Sequence, residues 1–234
     1  MRLYSPETVE FLWKLRLNNS REWFHENKAD FERLMNGPTK DLANGIFEHL
    51  QEKHPKHDWN LHVSRIYRDA RRLYGRGPMN DHLWFTLWAD REEMTAPAFY
   101  FSFTPEYYEY GMGCWSEGNV IMDRFRADIR RDPAAAEKLV RKFRRQHIFT
   151  VGGQKYKKHK LETTPLLQDW ADRRYLSFDV QRKQDEVCYS DRLLPTVCEG
   201  FDWLMPFYNY FLTLPELEEH PDVPAADDAP QETG

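Results

Sequence analysis

The sequence predicts an α+β fold: a central, mainly antiparallel sheet of about four to six strands, packed by N-terminal and C-terminal helices. Three observations predict it. Apolar residues recur at helical spacing near both ends of the chain. Alternating, ring-rich segments cluster in the middle. No strand–helix alternation and no glycine-rich phosphate loop is present, because Gly111-Met-Gly113 is too short for a dinucleotide fingerprint.

Taken in order, Ser5-Pro6-Glu7 is a helix start, a hydroxyl cap followed by proline at the first helical position. Phe11, Leu12 and Leu15 share a face. Asn18-Asn19 breaks this helix, and Asn19 and Glu22 have capping-box-like spacing for the next. That second helix carries Phe24, Lys28, Phe31 and Leu34 or Met35, and Gly37-Pro38 ends it. A third uses Leu42, Ile46 and Leu50 and stops before Pro55. Leu61–Asp69, Leu83–Ala89 and Ala98–Thr104 read as strands, with Gly111–Trp115 as a short fourth. Asp132-Pro133 and Thr164-Pro165 repeat the cap-then-proline start. Tyr175–Gln181 alternates again. A last helix runs from about Ser190, and Pro206 kinks or ends it.

Composition narrows the class. At 234 residues, the chain suits one large domain, expected over residues 1–214. Its 15% aromatic content excludes wholesale disorder. No apolar run is long enough to span a membrane, and the first residues have no secretory core, so a cytoplasmic protein is expected. Cys114, Cys188 and Cys198 form no CxxC pair and suit a reducing compartment. There is no metal motif, no GxSxG elbow, and no histidine placed beside a cysteine. Neither metal nor cofactor is expected.

The net charge of −5 is unevenly spread. Residues 215–234 hold seven carboxylates and no Lys or Arg, and read as a disordered acidic tail. Residues 124–160 hold 13 basic against 3 acidic residues. They read either as a solvated face or as a docking surface for an acidic partner.

The best candidate for chemistry is the set Arg65, Arg68, Asp69, Arg71 and His82. On a strand, Arg65, Tyr67, Asp69 and Arg71 point one way and Ile66 and Arg68 the other. Arginine forks suit phosphate or carboxylate. Asp69 could orient an arginine or His82, and His82 could serve as acid or base. The same residues also suit an ion-pair network at the sheet end. Trp23 and Arg21 read as a pocket rim or as a helix corner. Gly111, Gly113 and Trp115 read as a place where backbone approaches a ligand, or as a tight strand turn.

Three segments in order carry a resemblance. Phe11–Lys28 resembles the pattern FL..L..NN.REWF..NK, Arg65–Arg71 resembles RIYRDVRF, and Pro97–Trp115 is similar to PGYYFHI…GAGMW. These belong to the domain of unknown function 2461 family of bacteria and fungi. The likeness covers roughly residues 6–212 and implies a shared fold and a cytosolic setting, without an activity. One departure stands out. The family pattern FSKDKSPYKTH becomes Arg72–His82 here: Pro78 and His82 match, while Arg76 and Asn80 replace the lysines. If those lysines bind an anion in relatives, one positive charge is kept here, at Arg76.

Two functions follow. The first is a protein, enzyme or binder, that holds a small anionic ligand with Arg65, Arg68, Arg71, Arg76, Trp23 and Trp115, with Asp69 and His82 as candidate catalytic groups. The second is an interaction module whose basic 124–160 surface meets an acidic protein or nucleic acid. The near-neutral body and the lack of a nucleic-acid motif count against nucleic acid.

Overall fold

Proline cannot donate a backbone hydrogen bond, and that rule explains the first surprise in the chain. A computed structural model describes residues 3–69, 71, 73, 76–92 and 95–217. Helix α1 spans Pro6–Leu17 and α2 spans Arg21–Glu26. Then Lys28–Phe31 (α3), a π-helical turn at Glu32–Asn36 and Gly37–Lys53 (α4) follow without a break. The helix break expected at Gly37-Pro38 does not occur. Pro38 deprives the Leu34 carbonyl of its donor four residues on. The turn widens instead, so that the Gly37 N–H reaches the Glu32 oxygen. The Thr8 hydroxyl, fully buried, donates to the Leu34 carbonyl at 2.9 Å. Thr8→Val would remove the hydroxyl that donates to this carbonyl and accepts the Ser5 N–H, at about 1–3 kcal/mol. Denaturant unfolding should show this loss, and Thr8→Ser, which keeps the hydroxyl, should largely escape it; equal losses would deny the hydroxyl this role.

The middle of the chain builds a six-stranded antiparallel sheet in the order β1-β2-β3-β4-β6-β5. The strands are Trp59–Val63, Leu83–Ala89, Ala98–Phe103, Tyr108–Gly113, Thr150–Gly152 and Ser177–Arg182, β1 to β6 in chain order. The α+β expectation holds, with strand ends shifted. β1 stops at Val63 because the following residues pair locally: Arg68 N–H donates to the Pro78 oxygen and Asn80 N–H to that of Ile66. The RIYRD segment is therefore one side of a short loop, bridged at Tyr67 and Met79. β4 begins at Tyr108, earlier than expected.

Further helices are α5 (Val120–Arg131), α6 (Ala134–Phe143), α7 (Gln168–Ala171) and α8 (Leu193–Leu212). Pro206 lies inside α8, which continues past it to Leu212. One sheet face carries Phe85, Phe99, Phe101 and Phe103, all fully buried. α8 packs on it: Phe99 stacks on Phe201 at 4.5 Å and on Tyr208 at 4.8 Å. The Tyr208 hydroxyl accepts the Ala89 N–H at 2.7 Å. Among the described residues, no helix is long and apolar enough to cross a membrane. Of the acidic tail, Glu216 lies 3.4 Å from the Arg124 guanidinium. The disordered tail was expected over residues 215–234, of which 218–234 fall outside the described residues.

Candidate functional site

Side chains alternate across a strand, so each core-facing ring leaves neighbours on the opposite face. That second face carries Trp84, Thr86, Tyr100, Ser102, Glu109 and Asp179. Most of it is half-buried rather than sealed. Its centre is Gly111, which pairs with Tyr100 on β3 and with Asp179 on β6. Glu109 lies two residues earlier on the same face. A Cβ at Gly111 would overlap the Phe178 carbonyl oxygen and sit 2.8 Å from the Asp179 Cα. The strands thus meet over a bare floor, with Tyr100, Asp179 and Glu109 around it. A Cβ at Gly113 would run into the Trp115 ring, which folds back over that residue. Trp115 meets Tyr100 edge-on at 5.2 Å and Tyr175 at 6.3 Å. The Thr86 hydroxyl oxygen, next to Tyr100 in the register, is buried with no hydrogen-bond partner among the described residues.

The electrostatics of this face are unusual. Burial, and then the Asp179 carboxylate, raise the Glu109 carboxyl above its ordinary range, against the pull of His82. Burial, and then Asp179 and Glu109, push the Tyr100 hydroxyl far up. His82 precedes β2, and its Nδ1 lies 3.0 Å from Asp81. Asp81 is held far below the usual carboxylate range, first by the His82 bond and then by Arg16. Arg16, in the last turn of α1, reaches both Asp81 and Glu106. A carboxyl that holds its proton more tightly than usual, near an imidazole held by an aspartate, is an arrangement suited to proton transfer.

The sequence-predicted residues scatter around this arrangement. Arg68 turns inward: its Nε donates to the Met79 oxygen at 2.9 Å and its Nη2 lies 4.0 Å from Asp81. So Arg68 and His82 meet at Asp81. Arg71 closes on Asp69, Nη2 to Oδ2 at 2.8 Å. Arg65 lines a separate groove of about 310 Å³ with Lys28, Lys40 and the exposed Tyr67. Arg76 is exposed. Trp23 packs on Phe11 at 5.8 Å, the helix-corner alternative. Ser20, not Asn19, caps α2. The Asn19 amide instead clamps the Met79 backbone, donating to its oxygen and accepting its N–H, both at 2.9 Å. Trp115 is the one predicted ligand contact that lies on the Gly111 face.

The sequence reading missed Glu109, Asp179, Tyr100 and Asp81. Strand alternation could have placed Glu109 beside Gly111, but only the pairing of β4 with β6 brings in Asp179. The basic region is also less free than its count suggests. Arg126 is buried and donates to the Ala171 and Arg173 carbonyls. Lys155 pairs with Asp169. Lys138, Lys142 and Arg145 do line a groove of about 460 Å³ beside Trp203, with the Lys142 ammonium 5.4 Å from the ring centre. Among the described residues, no group of three or more His, Cys, Asp or Glu could hold a metal ion.

Comparison with known proteins gives one match. The model of a family described as conserved hypothetical protein (DUF2461) matches residues 7–210. No curated protein and no solved structure matches the chain.

Proposed function

The chain belongs to the DUF2461 family of conserved hypothetical proteins, and from that premise we propose that it binds a small molecule on the Gly111 face and applies acid–base chemistry to it. One observation carries this reading. Glu109 is a carboxyl raised by burial and by Asp179, on an aromatic-walled, half-buried surface. Perturbed titratable groups in such settings concentrate at functional sites. In this reading Glu109 donates a proton, His82 accepts one, and Tyr100 and Trp115 hold the ligand. Asp81 positions His82.

The test is a thermal-shift screen of amines, polyols, sugar phosphates and carboxylic acids. A ligand at about 100 times its dissociation constant stabilises by roughly 2.7 kcal/mol. The shift should vanish in Glu109→Gln and in Tyr100→Phe; a shift that survives in both places the site elsewhere. Glu109→Gln should itself be more stable than wild type at pH 7. A carboxyl raised on folding supports the fold only while protonated, and that support is lost as pH rises through its folded value. At neutral pH the charge therefore opposes folding, and the neutral amide removes the penalty. Each ~1 kcal/mol gained would raise Tm by ~2–4 °C. Near pH 4, where the unfolded carboxyl also takes up its proton (roughly 4.3 in peptides), the two proteins should converge. An unchanged Tm at pH 7 would mean that Glu109 carries no such strain.

A second reading, binding of an anion, is favoured by the two basic grooves. A small phosphate or carboxylate would use Arg65, Lys28 and Lys40, and an acidic partner would use Lys138, Lys142 and Arg145. Binding of inorganic phosphate, or of an acidic peptide, that weakens steeply with salt and fails in Arg65→Ala or Lys142→Ala respectively would support it. Insensitivity to those variants would end it.

A further inference from the structure

We propose that the groove beside Arg65 binds a mononucleotide, a phosphate monoester that carries a planar ring. The phosphate sits among Lys28, Lys40 and Arg65, and the base lies against the ring of Tyr67. This rests on the anion-binding reading of that groove and gives its ligand a chemical class. Four observations carry it.

The first is the charge. Among the described residues, the side chains of Lys28, Lys40 and Arg65 have no ion-pair or hydrogen-bonding partner. Arg16, Arg33 and Arg71, by contrast, all hold carboxylates. Glu32 is the one acid among the described lining residues, and the Asn36 amide already donates to it at 2.6 Å. Three cations less one acid leave a formal charge of +2 on the groove. A phosphate monoester carries about −1.5 to −2 at neutral pH, so it matches this charge, and a single carboxylate does not.

The second is the backbone that brings the two lysines together. Lys28 and Lys40 are three steps of four residues apart. Four residues of α-helix overshoot a full turn by about 40°, so three steps would carry Lys40 about 120° away from Lys28. The π-helical turn at Glu32–Asn36 lies between them. Its wider turn takes back part of that angle, and both lysines line one groove. Such single π turns inside helices recur at functional sites.

The third is the ring. Tyr67 is 53% exposed, the most exposed aromatic side chain among the described residues. Its backbone is fixed by the bridge to Met79, and buried Phe24 meets its ring edge-on at 5.5 Å. The ring also borders a second hollow with Arg21 and His25, so it stands as a wall and not as part of the core. Bases stack on such rings without regard to sequence, because every base has a π-face. Buried Phe24, Phe31 and Ile66 give the groove an apolar floor beneath it.

The fourth is a buried donor and the size of the space. The Ser64 hydroxyl lines the groove and accepts the Trp84 N–H at 2.9 Å. Among the described residues, nothing accepts its own proton, which is left for a ligand oxygen. The groove measures about 310 Å³, at the small end of ligand sites, roughly 300–1,000 Å³. That suits one nucleotide and not a chain of them.

The experiment separates charge from ring. The full chain is titrated by calorimetry and thermal shift with AMP, with ribose 5-phosphate (phosphate without ring), with adenosine (ring without phosphate) and with inorganic phosphate. Wild type, Lys40→Gln, Arg65→Ala, Tyr67→Ala, Tyr67→Phe and Lys142→Ala are compared, each with its Tm measured first without ligand. AMP should raise Tm by several degrees, and ribose 5-phosphate and adenosine should each bind at least tenfold more weakly. AMP binding should weaken at least fivefold in Lys40→Gln, Arg65→Ala and Tyr67→Ala, and stay within twofold in Tyr67→Phe and Lys142→Ala. The lysine and arginine side chains are exposed and unpaired, so their variants should keep the unliganded Tm, and Tyr67→Phe keeps the ring if Tyr67→Ala loses stability. If inorganic phosphate or ribose 5-phosphate binds as tightly as AMP and is lost in Arg65→Ala, the anion-binding reading stands and the nucleotide assignment falls. If AMP binding is unchanged in Lys40→Gln and Arg65→Ala, or is lost in Lys142→Ala instead, the groove is not the site and this inference falls. No binding by any of the four compounds overturns both this inference and the reading of the groove as a small-anion site.

Discussion

Gly111→Ala is expected to destabilise the protein more than any other single methyl addition on this face and to abolish ligand binding there. The reason is backbone, not side chain. The new Cβ would overlap the Phe178 carbonyl oxygen and approach the Asp179 Cα within 2.8 Å. Flexible neighbours can swing away from such an intrusion, as the tip of a long side chain would, but a carbonyl locked in the β4–β6 ladder cannot. Over-packing of this kind costs typically about 1–3 kcal/mol, and more where the obstacle is rigid. Relief would come only by prising β6 from β4, which would also move Asp179 away from Glu109. Chemical unfolding should therefore show a loss at the upper end of that range, roughly 3 kcal/mol. Gly45→Ala is the control. Its Cβ would meet only the Leu194 side chain, at 3.1 Å, and that side chain can shift. Equal losses at the two positions would mean that the β4–β6 spacing adapts, and that Gly111 is not the rigid floor described above.

How much of this could be read from the residues depends on the range over which each signal acts. The helical ends and the ring-rich strands announced themselves through local periodicity. Where distant groups intervene, the local rules failed. Gly37-Pro38 looks like a stop because proline breaks helices. The Thr8 hydroxyl, 26 residues before Leu34, takes over the freed carbonyl, and the helix runs on. Helix α5 was hidden by its charge. Ile121, Met122, Phe125 and Ile129 have helical spacing, but the arginines between them drew the eye to a basic surface, and one of them, Arg126, is interior. The arginine-rich loop was legible as a polar cluster and illegible as geometry. Whether Arg68 faces a ligand or the Met79 carbonyl depends on how residues 66–68 pair with 78–80. The Gly111 face was half legible. Gly111, Gly113 and Trp115 stood out as a place of close approach, yet Glu109 and Asp179 lie 70 positions apart in the chain, and only strand register joins them.

Asp81→Ala should be the costliest change among the polar groups, because this carboxylate gathers side chains from three parts of the chain. It accepts from Arg16 on α1, lies 3.0 Å from His82 Nδ1, and sits 4.0 Å from the Arg68 guanidinium. Only 18% of its side chain is exposed. Removing one partner of a buried ion pair costs about 3–5 kcal/mol. Arg16 is a third exposed and keeps Glu106, so solvent and the second carboxylate soften the loss to roughly 2–3 kcal/mol. The pH dependence gives a sharper test. Folding depresses the Asp81 pKa, through the His82 bond first and Arg16 next. A depressed carboxylate contributes stability above its unfolded value, about 3.9, and loses it as pH falls toward the folded value. The wild-type advantage over Asp81→Asn should therefore be full at pH 6–7 and shrink steadily below about pH 4. A gap that persists undiminished at pH 2–3 would show that shape, not charge, makes Asp81 matter. The same variant separates structure from chemistry at His82. If Asp81 positions the imidazole, Asp81→Asn should keep ligand affinity within a few-fold while moving the pH profile of any turnover on the Gly111 face. A double-mutant cycle with Arg16→Ala should show coupling of about 1–3 kcal/mol, since one carboxylate ties the end of α1 to the candidate base just before β2.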